Sequence, residues 1–409
     1  MFRTHPLDLH EIRSRIARSL GLEDLASCAC VSQDWNSSFT PSLYKSVILS
    51  KHGLSMESVE RNKHHIQHLT VQSAADDNLS LTSEKDEVIS SLMAYSVLTT
   101  LILKKNSIGD SGAEALSEAL KINSTLATLD LQDNSIGPNG AQAMSEALKT
   151  NSTLTTLDLW GNEIGPNGAQ ALSEALKTNS TLTTLDLGNN WIEDNGAQAM
   201  SEALKTNSTL TTLNLWSNEI GPNGAQALSE ALKTNSTLTT LNLWSNSIGD
   251  NGAQALSEAL KTNSTLTTLI LESNSIGDDG ALALSEALKT NSTLATLDLW
   301  HNNIEYYGDQ ALSEALKTNT NLAASISFKF NSTLTTFDLK DNKIKFDEAQ
   351  AILKGLEINS TLTTLDLSNN FIRTQEARDL SEAFNTISTL TIFTINDKSP
   401  IRTIHNGYG

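Results

Sequence analysis

Cysteine is nearly absent. Cys28 and Cys30 are the only two in 409 residues, so no disulfide framework is expected and a reducing compartment fits the chain. Arginine is missing altogether between Asn62 and Ile372. That gap excludes guanidinium clusters for phosphate recognition and an arginine finger over most of the molecule. No run of about 18 apolar residues occurs, and His5, Asp8, His10, Glu11 and Arg13 interrupt every apolar segment near Met1. Neither a secretory leader nor a membrane span is expected, and the chain reads as cytoplasmic or nuclear. A Gly-rich phosphate loop, an H-E-x-x-H pair and a nucleophile elbow are also missing. The expectation is therefore a protein that is not an enzyme and takes no cofactor. His64, His65 and His68 lack acidic or cysteine partners at ligand spacing, so they are read as solvated surface and no metal is expected.

Negative charge is plentiful, with a formal net charge of -19. It belongs to the repeats, because residues 1–50 carry five basic and five acidic side chains. Such a surface repels nucleic acid and anionic membrane, favours basic partners, and keeps a long array in solution.

What dominates the chain is one recurring stretch, L-T-T-L-D-L-W-G-N-E-I-G-P-N-G-A-Q-A-L-S-E-A-L-K from Leu154 to Lys177. Its asparagine recurs at Asn106, Asn134, Asn162, Asn190, Asn218, Asn246, Asn274, Asn302, Asn342 and Asn370, always 28 residues apart except for one 40-residue step after Asn302. Period and motif resemble the ribonuclease-inhibitor-like leucine-rich repeats. The resemblance implies an α/β horseshoe solenoid with a concave parallel sheet and convex helices.

Within a repeat, Leu157 and Leu159 are predicted to face the core while Thr156, Asp158 and Trp160 face away, following the two-residue period of a strand. The next helix turns Ala169, Leu172, Ala175 and Leu176 inward and is expected to leave Gln170, Ser173, Glu174 and Lys177 in water. The repeated asparagine is expected to bond backbone groups that the turn leaves unpaired. Nine N-S-T triplets, Asn123 to Asn359, look like glycosylation acceptors but read as turns between helix and strand. In the long step Ser325 and Ser327 occupy inward places of the strand template, which predicts a local break around Ala323 to Phe330.

Residues 5–49 lack this pattern and predict a small all-α module. I-A-R-S-L-G-L-E-D-L (Ile16 to Leu25) and V-S-Q-D-W (Val31 to Trp35) resemble the F-box, although the usual opening Leu-Pro is here His5-Pro6 and lies upstream. An F-box-like module ahead of such repeats is a combination of the kind expanded in fungi. The resemblance implies docking onto the small adaptor subunit of cullin-RING (SCF-type) ubiquitin ligases through Pro6, Leu7, Ile16, Leu20, Leu22 and Val31. The alternative is that these residues close the module's own core and cap the solenoid. The resulting division is 1–50, F-box-like helical module; 51–97, linker and atypical first repeat; 98–397, repeat array irregular at 322–333; and 398–409, tail.

Comparing repeats within the chain, variation gathers at the two residues before each asparagine, for example Lys104-Lys105, Trp160-Gly161, Gly188-Asn189, Glu272-Ser273 and Lys340-Asp341. Trp160, Trp216, Trp244 and Trp300 share one place there. Beside them runs an acidic stripe that includes Asp130, Asp158, Asp186 and Asp298, with asparagine at 214 and 242 and an interruption at Ile270. Tryptophan on a solvated sheet face is typical of interface centres, and the two stripes suit a basic or aromatic peptide or protein. Duplication of near-identical repeats would also copy both stripes. The sequence thus predicts a protein-interaction protein, either a ligase substrate adaptor or a non-catalytic scaffold or inhibitor.

Overall fold

The computed structural model describes residues 45–49, 61–71, 97–318, 333–357, 359, 361–384, 387 and 389–395. One parallel sheet runs through them, with strands β1 (Ser46–Leu49), β2 (His68–Val71), β3 (Thr100–Ile102), β4 (Thr128–Asp130), β5 (Thr156–Asp158), β6 (Thr184–Asp186), β7 (Thr212–Asn214), β8 (Thr240–Asn242), β9 (Thr268–Ile270), β10 (Thr296–Asp298), β11 (Thr336–Asp338), β12 (Thr364–Asp366) and β13 (Ile392–Thr394) in sequential order. From β3 to β12 each strand is followed by a helix, such as Gly165–Leu176 after β5. Each helix packs on the next. Strands sit about 4.8 Å apart and packed helices about 8–10 Å, so the array bends with its sheet inside.

The core is the same leucine lattice in every turn. Leu154, Leu157, Leu159, Ile164, Ala169, Leu172, Ala175 and Leu176 are fully buried, and their counterparts repeat this. Ser173 departs from expectation. It is buried with them, as are Ser145, Ser201 and Ser229, because the seam between adjacent helices admits only a small side chain. Its hydroxyl donates to the Gln170 carbonyl at 2.7 Å, which satisfies it locally.

Polar ladders close the edges. Asn190 is completely buried, and its Nδ2 donates to the carbonyls of Leu159 in the preceding repeat and of Gly188, both at 2.9 Å. Its Oδ1 accepts from the Ile164 backbone N–H. The N-S-T asparagines form a second ladder that the sequence reading treated as simple turns. Asn179 accepts from the backbone N–H groups of Thr181 and Leu182 and donates back to the Leu148 carbonyl at 2.8 Å. A buried amide so engaged is no glycan acceptor in the folded array. Aspartates provide a third link: Asp194 Oδ1 accepts from the N–H groups of Gly221 and Gly224 at 2.7 and 2.8 Å, capping the helix of the following repeat.

One expectation is corrected. Ser46–Leu49, placed with the helical module, is a strand in parallel register with His68–Val71. The 28-residue template misses it because its step to β2 is 22 residues and the next is 32. The local break expected around Ala323 to Phe330 lies outside the described residues. On either side of it β10 and β11 pair in the usual register, Leu297 opposite Phe337. Ser313 Oγ also donates across the long step to the Ala351 carbonyl at 2.7 Å. Beyond the long step Leu334 and Phe337 are fully buried in the core.

Candidate functional site

The sheet face opposite the helices is built by the alternate residues of each strand and its extension. Trp160, Trp216, Trp244 and Trp300 stand half-buried on it, as the alternation predicts. Three of them form a stack. The ring centroids of Trp216 and Trp244 lie 4.7 Å apart at 15°, and those of Trp160 and Trp216 5.7 Å apart at 22°.

The second contact crosses two strand spacings, and Gly188 explains how. It holds the place of the tryptophans on β6, and a Cβ there would collide with the indole of Trp216. Lacking one, it lets that ring lie across the strand and reach Trp160. Lysines finish the row, with Lys104 Nζ 5.0 Å from the Trp160 ring centroid and Lys340 Nζ 4.6 Å from that of Trp300, both within cation–π range. Among the described residues the buried indole N–H groups of Trp160 and Trp300 have no acceptor, a cost that packing alone would not require.

The acidic stripe has a structural role that sequence comparison did not reveal. In each case Oδ1 accepts the backbone N–H two residues on: Asp130 from Gln132, Asp158 from Trp160, Asp186 from Gly188 and Asp298 from Trp300, at 2.8–3.0 Å. Asn214 and Asn242 do the same for Trp216 and Trp244. Asp and Asn alternate freely because the turn needs only an oxygen. The second oxygens of Asp158 and Asp186 are also engaged, by the amides of Gln132 and Asn214.

Of the variable pairs, the residue just before each asparagine is constrained by its backbone. Lys105, Asp133, Gly161, Asn189, Ser217, Ser245, Ser273, His301, Asp341 and Asn369 all have φ between +50° and +69°, a region that favours Gly, Asn and Asp. The preceding position, the tryptophan place, carries no such backbone constraint.

Burial, and with it mutual repulsion, raises the pKa values of several carboxylates on this face. Burial, with repulsion from Asp158 and Asp130, pushes Asp186 to about 6. Burial, with repulsion from Asp298 and Asp366, pushes Asp338 to about 7. Burial, with repulsion from Asp298 and Asp338, pushes Glu272 to about 7. The folded array therefore keeps protons that the unfolded chain releases from about pH 4 upward, and stability is lost as pH rises through these values. The array is expected to be more stable to denaturant at about pH 5.5 than at about pH 8. Asp338→Asn keeps the acceptor for the Lys340 N–H and removes the charge, so it should raise stability at pH 8 by about 1–2 kcal/mol. Equal stability of parent and variant at both pH values would refute this account of the stripe.

Other predicted residues lie elsewhere. Pro6, Leu7, Ile16, Leu20, Leu22 and Val31 are outside the described residues, as is the tail. His64 and His68 are exposed and His65 half-buried, and among the described residues no group of His, Cys, Asp and Glu could hold a metal. Among them, too, no helix is long and apolar enough to cross a membrane. Trp191, 53% exposed, sits off the face on the turn edge, lining a shallow cleft of about 300 Å³ with Ser217 and Glu219.

Comparison with known proteins follows the repeats. The family model described as TMOD/LMOD Leucine-rich domain matches residues 161–246 and 225–331. That described as Leucine Rich repeat matches 96–117, 123–145, 330–345 and 359–373. Neither reaches residues 1–50. Among solved structures, leiomodin-1 Actin-Binding Site 2 is 28% identical, covering 37% of this chain and 88% of its own, with a TM-score of 0.32. An internalin from Listeria monocytogenes strain 4b F2365 is 18% identical over 96% of this chain and 95% of its own, with a TM-score of 0.49. No curated protein matches significantly.

Proposed function

The chain is a leucine-rich repeat protein with a TMOD/LMOD-like repeat domain, and we propose that it is a non-catalytic scaffold holding a protein partner on the helix-free face of its sheet. One observation carries the reading: Trp160, Trp216 and Trp244 make a continuous stacked surface, half-exposed and fixed on adjacent and near-adjacent strands. Rigid aromatic rings offer large contact area with little rotamer freedom left to lose. The neighbouring carboxylates select against acidic partners and for an extended basic or aromatic segment.

A peptide-display selection on the full chain tests this, run beside a Trp216→Ala/Trp244→Ala variant of unchanged circular dichroism. Ligands that bind the parent and are lost by the variant support the reading. Ligands retained equally by both would overturn it.

A second reading concerns residues 1–50. Their I-A-R-S-L-G-L-E-D-L and V-S-Q-D-W patterns favour docking onto the small adaptor subunit of a cullin-RING ligase, which would make the scaffold a substrate receptor. Co-expression with that subunit tests it against a variant carrying Leu20→Asp and Val31→Asp. Capture by the parent and loss in a variant with folded repeats supports docking. No capture at micromolar concentration leaves the scaffold alone.

A further inference from the structure

The tryptophan row and the Asp/Asn stripe are interrupted in the same repeat. On β9 the stripe position is Ile270 and the tryptophan position is Glu272, while the strands on either side carry Trp244 and Trp300 at the matching place. Duplication alone would have copied Asp or Asn and an aromatic. Instead a carboxylate stands in the gap, nine-tenths buried and with no hydrogen bond or ion pair to its side chain among the described residues. A buried carboxylate without a partner is costly.

We infer that this notch, floored by Glu272 between Trp244 and Trp300, receives the guanidinium of an arginine side chain from the bound partner. The inference rests on the sheet-face reading and specifies one contact within it. Two strand spacings separate Trp244 from Trp300, roughly 9–10 Å, and Trp244 leans the other way, onto Trp216. That leaves room for one flat group stacked on the Trp300 ring at about 3.5 Å, with Trp244 on its far side. Lys340 reaches Trp300 from the β11 side, so the face of that ring toward β9 is the one turned to the notch. The chain's own Lys104 and Lys340 already sit over tryptophans of this row, which shows that its rings accept cations.

Charge favours the same occupant. Glu272 has Asp298 and Asp338 as repelling neighbours, with His301 and Lys340 opposing them only in part. Asp298 and Asp338 each commit one oxygen to a backbone N–H and keep the other for a donor. A planar fork of N–H groups matches paired carboxylate oxygens and stacks on indole, whereas an ammonium does only part of this.

The test uses the full chain and three probes, the Nα-acetyl amides of arginine, lysine and citrulline, followed through the tryptophan indole NMR signals. Arginine amide should shift the Trp244 and Trp300 signals saturably in the low-millimolar range. Citrulline, which has the shape without the charge, should bind at least ~10-fold more weakly. Glu272→Gln should weaken arginine binding by a similar factor. Glu272→Trp restores the residue typical of the row and should abolish it while leaving the array folded. Equal response to citrulline, no saturation by about 50 mM arginine amide, or unchanged binding in both Glu272 variants would each overturn the inference. Equal binding of lysine amide would overturn the guanidinium assignment in favour of any cation. If peptides are still selected through Trp216 and Trp244 while these probes fail, the notch is wrong and the sheet-face reading stands.

Discussion

Replacing Asn190 with leucine is expected to cost about 3–5 kcal/mol of stability. Three buried backbone groups lose a bond at once: the N–H of Ile164 loses its acceptor, while the carbonyls of Leu159 and Gly188 keep only their bonds from Asn162 Nδ2 and the Gly161 N–H. An orphaned buried group costs about 1–3 kcal/mol and each further lost bond about 0.5–1.5 kcal/mol, and leucine offers nothing in return because the space around Asn190 is lined by backbone polar atoms. In an array where each repeat contacts only its neighbours, such a defect acts locally. Guanidinium unfolding followed by circular dichroism should therefore show an earlier transition for the repeats around β6 and β7, and not a uniform shift. A displacement below about 1 kcal/mol would mean that the ladder is ornamental.

Replacing Trp216 with alanine is expected to weaken partner binding by about 2–4 kcal/mol, roughly 30-fold or more, with little change in stability. Trp216 is the middle of the stack, touching both Trp160 and Trp244. Its loss therefore removes one ring and unseats two others. Gly188→Ala provides a check that leaves every aromatic in place: the added methyl displaces the Trp216 ring and should reproduce part of the loss. Calorimetry on a display-selected peptide reads both variants. A change of less than about 3-fold for Trp216→Ala would remove this residue from the centre of the interface.

Much of this was legible in the residues themselves. The leucine lattice, the asparagine at each strand end and the side of the sheet on which Trp160 stands all follow from periodicity, because a period of two on strands leaves no choice of face. The buried Ser173 was not legible, since hydrophobicity patterns assign a hydroxyl to water and cannot see a helix seam too narrow for anything larger. The acidic stripe read only as a recognition feature, yet its Asp/Asn alternation already pointed to a structural role beside it: a backbone N–H needs an oxygen and takes it from Asp186 or Asn214 alike. Gly188 and Glu272 stood among the variable positions without a role. Glycine announces nothing until Trp216 is seen lying over it, and Glu272 matters only as the member of the row that no neighbour satisfies. Ser46–Leu49 escaped because its step to the next strand does not fit the period.

The most direct measurement is oxidative footprinting of the tryptophans in a complex between the full chain and a selected ligand. Trp191, exposed on the turn edge, serves as an internal reference in the same molecule. The account predicts protection of Trp216 and Trp244, with Trp160 and Trp300 following, while Trp191 reacts as in the free chain. Protection at Trp191 with the sheet-face tryptophans unchanged would contradict it and move the interface to the rim.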